Sequence, residues 1–193
     1  MAAVIPEPGF PGADDGRLRL VPLGAAALVA VDAGDADVAD RLCDAAWPRP
    51  LLPPPLVGEH LAFLADRLAT EGPASGWWNW AIVVDEPARV AGVIGLGGPP
   101  GDDAAVEIGY SLYAAARGRG FATAALVLVV PIALARPGVR VARVTAGPGN
   151  GASIRVAERA GMAPAGVRRH PGGGSVVVLE TRRASAAGVL RRS

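Results

Sequence analysis

The stretch from Val106 to Ala122, VEIGYSLYAAARGRGFA, decides the fold of this chain of 193 residues. In its first half, apolar residues alternate with Glu107 and with other polar or small residues, which is the period of a half-buried β-strand. The run that follows Ala122, TAALVLVVPIALA, is almost continuously apolar and too long for an ordinary strand, so it indicates a helix. The sequence therefore predicts a strand, a glycine-containing turn and a helix in immediate succession.

The turn, which includes Arg117 and Gly118 to Gly120, has the features of an anion site. The first N–H groups of a helix have no partner within the helix, and the helix dipole is positive at that end. Gly118 and Gly120 lack a Cβ atom, so a bulky anion could reach the main chain there. Taken alone, a plain strand-to-helix connection with two glycines explains the turn equally well.

Charge is segregated along the chain, although the net charge is only +1. Residues 1–107 contain 16 acidic residues and six arginines, whereas residues 108–193 contain two acidic residues and 13 arginines. This distribution suits a small polyanion with several phosphates in the second half and a cationic group in the first half. Nucleic acid explains the basic half less well, because the arginines are spread through apolar segments without a basic run or an aromatic platform.

Cysteine content and hydropathy favour a cytoplasmic protein without a membrane segment. Cys43 is the only cysteine, which excludes an internal disulfide and a multi-cysteine metal site, and no metal is expected. The N-terminal sequence MAAVIPEPGF has no basic residue and is not a secretory signal. The longest apolar run, Phe121 to Ala135, is short for a membrane span and contains Pro131.

The remaining patterns predict one α/β (α+β) domain over residues 17–181, with a flexible leader over residues 1–16 and a basic tail over residues 182–193. Beyond the central stretch, strands are predicted over residues 17–22, 77–84, 88–96, 140–145 and 175–181, with room for one more near Val167. Helices are predicted over residues 24–47 (one or two), 60–68 and 150–160. Asn150 is a good N-cap for the last helix, and five prolines in residues 48–55 predict a loop.

Three spaced motifs lie on these predicted elements. The first is Arg117-x-x-Gly120-x-Ala122, which follows a strand reading Glu-Ile-Gly-Tyr. The second is the Asn-x-x-Ser helix start at Asn150, followed by Gly161-Met162, and the third is a Trp-bearing strand before a Gly-Val-Ile-Gly strand. In these motifs the chain resembles the GNAT superfamily of N-acetyltransferases, especially the branch of ribosomal-protein N-terminal serine and alanine acetyltransferases.

The resemblance implies a single domain with a mixed, mostly antiparallel central sheet flanked by helices. It implies acetyl-CoA as co-substrate and a primary amine as acceptor, either a protein N-terminus or a small-molecule amine, in a monomer or homodimer. The implied coenzyme contacts lie on the strand, the turn and the later helix start: Ser111, Leu112, Tyr113, Arg117, Gly118, Arg119, Gly120, Phe121, Ala122, Thr123 and Asn150.

Acyl transfer to an amine requires a base, because a protonated amine has no lone pair. Glu107 is the candidate base, since it is the last acid before the basic half and lies on the polar face of its strand. Pairing with an arginine is an equally good explanation of Glu107. Ser153 is the candidate that hydrogen-bonds or protonates the coenzyme sulfur, and its alternative role is local capping in the first helical turn.

One departure from the family concerns the general acid. Many members carry a tyrosine after the Gly-aromatic pair, whereas Tyr110 and Tyr113 are the only tyrosines here and both precede it. This leaves open an alternative function as a weak or inactive acyl-CoA-binding regulatory module. A dinucleotide-binding fold is rejected because Thr123 stands where that fingerprint needs a third glycine and no acid follows at the required distance.

Overall fold

In the computed structural model, residues 12–52, 61–72, 78–84, 87–170 and 173–183 are described. Within these ranges eight strands form one mixed sheet: β1 (Ala13–Asp14), β2 (Leu18–Pro22), β3 (Asn79–Val84), β4 (Arg89–Leu96), β5 (Ala105–Leu112), β6 (Val141–Ala146), β7 (Ala163–Arg169) and β8 (Ser175–Arg182). The described α-helices are α1 (Ala25–Asp32), α2 (Ala36–Cys43), α3 (Leu61–Glu71), α4 (Phe121–Ala135) and α5 (Gly151–Arg159).

The sheet has the order β1-β2-β3-β4-β5-β6-β8-β7, and its neighbouring strands are antiparallel except for β5 and β6. The mixed, mostly antiparallel sheet predicted for this chain is therefore confirmed. β5 pairs with β4 as far as Leu112, but its parallel pairing with β6 covers only residues 105–107 with residues 141–143. The two strands separate after Glu107, and we call the resulting gap the β5–β6 opening.

Alternate residues of the central strands pack into two apolar layers, one on each face of the sheet. On one face, Trp80 and Ile94 pack with α4 and α5, and Leu126 of α4 is fully buried. On the other face, Val83 and Val93 pack with α1, α2 and α3.

Most predicted elements are present with small shifts of their ends. The strand, turn and helix around residues 106–135 are confirmed, and Pro131 lies inside α4. Residues 24–47 form two helices, which separate at Gly34, where a φ of +71° favours glycine. The additional strand near Val167 is present as β7.

The two ends of the predicted domain extend slightly further than the sequence suggests. Ala13 and Asp14, within the predicted leader, pair with β2, and Arg182 belongs to β8. Residues 1–11 of the leader, residues 184–193 of the tail and residues 53–55 of the proline-rich loop lie outside the described ranges.

Candidate functional site

The β5–β6 opening exposes main-chain groups of alternate β5 residues. The Tyr113 N–H donates to the Ala91 carbonyl on β4 at 3.0 Å, and Ser111 follows the same alternation. Consequently the N–H and C=O groups of Tyr110 and Leu112 point away from β4, toward the opening. Of the three strand residues predicted to contact the coenzyme, Leu112 presents its main chain to the opening, whereas Ser111 and Tyr113 present theirs to β4.

A cavity of about 610 Å³ fills the opening and extends to α3. Its walls come from β4, β5 and β6, from Phe63 and Leu64 of α3, and from Asn150 and Ser153 at the start of α5. The described residues that line it include no Asp, Glu, Lys or Arg. A molecule bound in this cavity would meet a mostly apolar surface with a few polar side chains, among them His170, which is typical of small-molecule sites.

The turn before α4 leads into a helix N-terminus, where the first N–H groups have no partner within the helix. Gly118 and Gly120 have φ values of +75° and +83°, a conformation that glycine adopts without strain. Gly120 is the N-cap of α4 and makes no side-chain capping bond, and the first turn contains no acid. Because the side chains of Phe121 and Ala122 are buried in the core, the turn is held in place while its N–H groups remain available to an anion.

Three arginines surround this turn. The Arg117 Nε donates to the Leu112 carbonyl at 3.1 Å, and the Arg119 guanidinium lies 4.9 Å from the centroid of the Phe121 ring. An Nη atom of Arg17, which directly precedes β2, lies 3.8 Å from where a Cβ on Gly120 would be. The motifs in the sequence do not indicate Arg17, because this residue lies a hundred residues before the turn and belongs to none of them.

The start of α5 is fixed by the predicted cap. The Asn150 Oδ1 accepts a hydrogen bond from the Ser153 N–H at 3.1 Å, so the N-cap prediction is confirmed. The Tyr110 hydroxyl donates to the Ser153 carbonyl at 2.9 Å, which ties β5 to α5 beyond the point where β5 and β6 separate. Burial raises the pKa of Tyr110, so its hydroxyl stays protonated and remains a donor. The Glu-Ile-Gly-Tyr motif, which contains Tyr110, does not by itself indicate this hydrogen bond to α5.

Glu107 lies beside the cavity and near an arginine, so both interpretations considered from the sequence have support in the geometry. Its Cβ is 3.6 Å from where a Cβ on Gly97 would be, and Gly97 lines the cavity. Its Oε1 lies 3.6 Å from Nη1 of Arg143. Burial raises the pKa of Glu107, and the neighbouring charge of Arg143 opposes that rise. A carboxylate with a raised pKa beside a cavity is suited to accept a proton.

A family model described as "Acetyltransferase (GNAT) domain" matches residues 17–163 of the chain. The chain belongs to the GNAT acetyltransferase family. The family resemblance inferred from its motifs is thereby confirmed, and the protein is an N-acetyltransferase. Acetyltransferases of this family use acetyl-CoA. The comparison with curated proteins gives no match.

Several solved structures share the fold of this acetyltransferase at low sequence identity. An enzyme from Salmonella typhimurium that modifies the N-terminal serine of ribosomal protein L7/L12 has a TM-score of 0.61 at 16% identity, covering 88% of this chain and 97% of that one. A GCN5-related N-acetyltransferase from Brucella melitensis has a TM-score of 0.58 at 21% identity, covering 92% and 80%. The microcin C7 self-immunity acetyltransferase MccE, solved with acetyl-CoA and AMP, has a TM-score of 0.60 at 14% identity, covering 88% and 94%.

In the acetyltransferase, Arg143 is the centre of a buried ion cluster next to the candidate base. Its Nη2 lies 2.6 Å from the Asp103 carboxylate and 2.7 Å from the Glu180 carboxylate, both closer than its contact with Glu107. The side chains of Arg143 and Glu180 are only 8% and 4% exposed. Arg143 is thus held mainly by Asp103 and Glu180, which leaves Glu107 its weakest partner. Glu107 therefore remains available for a second partner.

The predicted site residues of the acetyltransferase fall into two groups. Asn150 and Ser153 line the cavity, and Glu107 lies at its border. The turn from Arg117 to Thr123 lies outside this cavity, at the N-terminus of α4, and Arg119 instead lines a second cavity of about 330 Å³. This division matches a ligand with a long arm that joins an anionic end to a reactive end.

In the described part of the acetyltransferase, no group of three or more His, Cys, Asp and Glu side chains is arranged to hold a metal ion. No described helix is long and apolar enough to cross a membrane.

Proposed function

We propose that this chain transfers the acetyl group of acetyl-CoA to a primary amine by direct attack, with Glu107 as the base. The observation that carries this proposal is the β5–β6 opening. A cavity in the opening, whose described lining contains no Asp, Glu, Lys or Arg, reaches from the start of α5 to Gly97, which lies beside Glu107.

The residues present fit the coenzyme in two places. At the N-terminus of α4, the N–H groups after Gly120 and the nearby guanidinium groups of Arg17, Arg117 and Arg119 would hold its pyrophosphate. In the opening, the outward N–H and C=O groups of Leu112 and its neighbour Tyr110 would pair with the amide groups of the pantetheine arm, as a strand pairs at a sheet edge.

The thioester supplies an activated acetyl group, and the protein residues move the protons. Glu107 takes a proton from the ammonium group, directly or through water, so that the nitrogen lone pair can attack the carbonyl carbon. Outward N–H groups of β5 stabilise the oxyanion as the C–N bond forms. As the C–S bond breaks, the Ser153 hydroxyl donates a hydrogen bond to the departing sulfur. The thiolate takes up, through Ser153 or water, the second proton that the attacking nitrogen loses, and the products are an N-acetyl amine and the free thiol.

Thiol release tests this proposal directly. Wild-type protein with acetyl-CoA and a panel of amines should release the coenzyme thiol, and Glu107→Gln should reduce kcat by about 10²- to 10⁴-fold while acetyl-CoA affinity is kept. Glu158→Gln, an exposed carboxylate on α5, serves as the matched control and should keep full activity.

Two results would contradict the proposal in different ways. Acetyl-CoA binding without thiol release for any amine would favour the regulatory module, in which the coenzyme is bound but not used. Full turnover by Glu107→Gln would leave the transfer reaction in place and remove Glu107 as its base.

A further inference from the structure

Three residues lie in register across β3, β4 and β5 on the face that α3 covers. Asn79 pairs with Gly95, and Gly95 pairs with Gly109. Two of these three positions have no side chain, and the Asn79 side chain lies over Gly95. The space above Gly109, bordered by the Asn79 amide, stays open, and we call it the groove. All three residues line the cavity, and Phe63 of α3 lines it as well.

Gly95 and Gly109 have different reasons to be glycine. A Cβ on Gly95 would overlap the Oδ1 atom of Asn79, so the packing of Asn79 requires glycine there. A Cβ on Gly109 would meet nothing within 4 Å, and the φ of Gly109 is not positive. Neither packing nor backbone conformation requires glycine at position 109, so the empty space above it is available to a ligand.

The groove lies on the side of the sheet where the base is proposed. Glu107 and Gly109 are two residues apart on β5 and therefore share a face. The backbone N–H of Gly97 donates to the Glu107 carbonyl at 2.9 Å. This hydrogen bond places Gly97, which lines the cavity, beside Glu107. An amine that enters along the groove would reach Glu107 and the opening together.

The described lining of the groove offers hydrogen bonds and contains no acidic side chain. Asn79 is only 6% exposed and its side-chain amide can both donate and accept. Because the described lining contains no Asp or Glu, a second positive charge on the acceptor would lose its hydration without a compensating partner. A neutral amide or carbonyl next to the amine would instead form hydrogen bonds with the Asn79 side-chain amide.

We propose that the space above Gly109 is the acceptor passage and that the Asn79 amide, which lies over Gly95, binds a polar group of the acceptor. The acceptor is then a slender amine that carries no second charge and has a neighbouring amide, such as a peptide N-terminus. Polyamines and aminoglycosides do not fit this passage. The inference rests on the proposed acetyl transfer and specifies the acceptor of the same site.

Matched acceptors test the role of Asn79. Alaninamide and isopropylamine differ in having an amide or a methyl group on the same carbon. Because the amide also makes the amine less basic, recognition by Asn79 is measured by the change in their kcat/KM ratio between wild type and Asn79→Ala. We expect wild type to prefer alaninamide and Asn79→Ala to lower that preference by at least tenfold while retaining turnover of isopropylamine. Equal use of the two amines by wild type, or an unchanged preference in Asn79→Ala, would overturn the proposal that Asn79 binds the polar group of the acceptor.

Gly109→Ala tests the passage without disturbing the fold. The added methyl group meets no protein atom within 4 Å, so the melting temperature should not fall, whereas the acceptor KM should rise about tenfold or more. The KM for acetyl-CoA should stay within about twofold, because the groove lies on the acceptor side. Gly149→Ala, which also has nothing within 4 Å and does not line the cavity, is the control and should leave both constants unchanged.

The outcomes distinguish a failure of this inference from a failure of the proposed acetyl transfer on which it rests. Spermidine or kanamycin turned over as efficiently as alaninamide, or an unaltered acceptor KM in Gly109→Ala, overturns the passage but leaves acetyl transfer intact. Absence of thiol release by wild type with every amine overturns both.

Discussion

Replacing Gly118 by alanine separates backbone strain from coenzyme binding. The φ of Gly118 is +75° and a Cβ there meets nothing within 4 Å, so the substitution adds strain but no clash. An alanine in this left-handed conformation costs about 1–2 kcal/mol. In a protein of this size each kcal/mol lowers the melting temperature by about 2–4 °C.

Gly161→Ala is the matched control, because Gly161 has a φ of +84° and also has nothing within 4 Å of its Cβ position. Both variants should lose about the same melting temperature. Only the alanine at position 118 would project where the pyrophosphate is proposed to lie. Loss of one hydrogen bond to a charged group costs about 1.5–3 kcal/mol, so the Kd of Gly118→Ala for acetyl-CoA should rise roughly 10- to 150-fold.

Isothermal titration of acetyl-CoA into wild type and both variants, with thermal denaturation of each, measures the two effects separately. We expect equal destabilisation and unequal affinity. If Gly118→Ala and Gly161→Ala bind acetyl-CoA as tightly as wild type, the pyrophosphate does not lie against this turn, and the proposed coenzyme site is wrong.

Three further predictions concern the base, the cap and the core. The charge of Arg168 opposes the rise in the pKa of Glu107 that burial causes, so Arg168→Gln should raise that pKa further. The acid limb of the kcat/KM profile should then move to higher pH, by less than about one pH unit because Arg168 is half exposed. An unmoved acid limb would mean that a group other than Glu107 determines it. Asn150→Ala removes the α5 cap and should lower stability by about 1 kcal/mol, seen as a drop of about 2–4 °C in thermal denaturation. Leu126→Ala should cost about 2–5 kcal/mol because Leu126 is fully buried, whereas Val127→Ala at a half-exposed position should change stability by less than about 0.5 kcal/mol, both measured by denaturant unfolding.

Several features of the fold could be predicted because their causes are local. The alternation around Glu107, the glycines at positions 118 and 120, and the long apolar run after them each act within a few residues. Asn150 could be recognised as a cap for the same reason, since its partner is the N–H group three residues later. These local signals were sufficient to predict the strands and helices that carry the motifs and to indicate the family.

The candidate base shows where local reasoning ends. Strand alternation placed Glu107 on the polar face, but it could not tell whether an arginine would neutralise it. Arg143 comes from a neighbouring strand and is held mainly by Asp103 and Glu180, which are 40 and 37 residues away in sequence. Only the assembled sheet shows that the contact between Arg143 and Glu107 is the longest of the three.

The sequence by itself determined which segments are strands and helices, which turn can bind an anion and which family the motifs resemble, because capping, alternation and glycine conformation depend on neighbouring residues. The tertiary structure alone decided where β5 parts from β6, that Arg17 reaches the turn, and that Asn79, Gly95 and Gly109 align across three strands. Strand register and separation result from the packing of the whole core on both faces of the sheet, so no short stretch of sequence contains them.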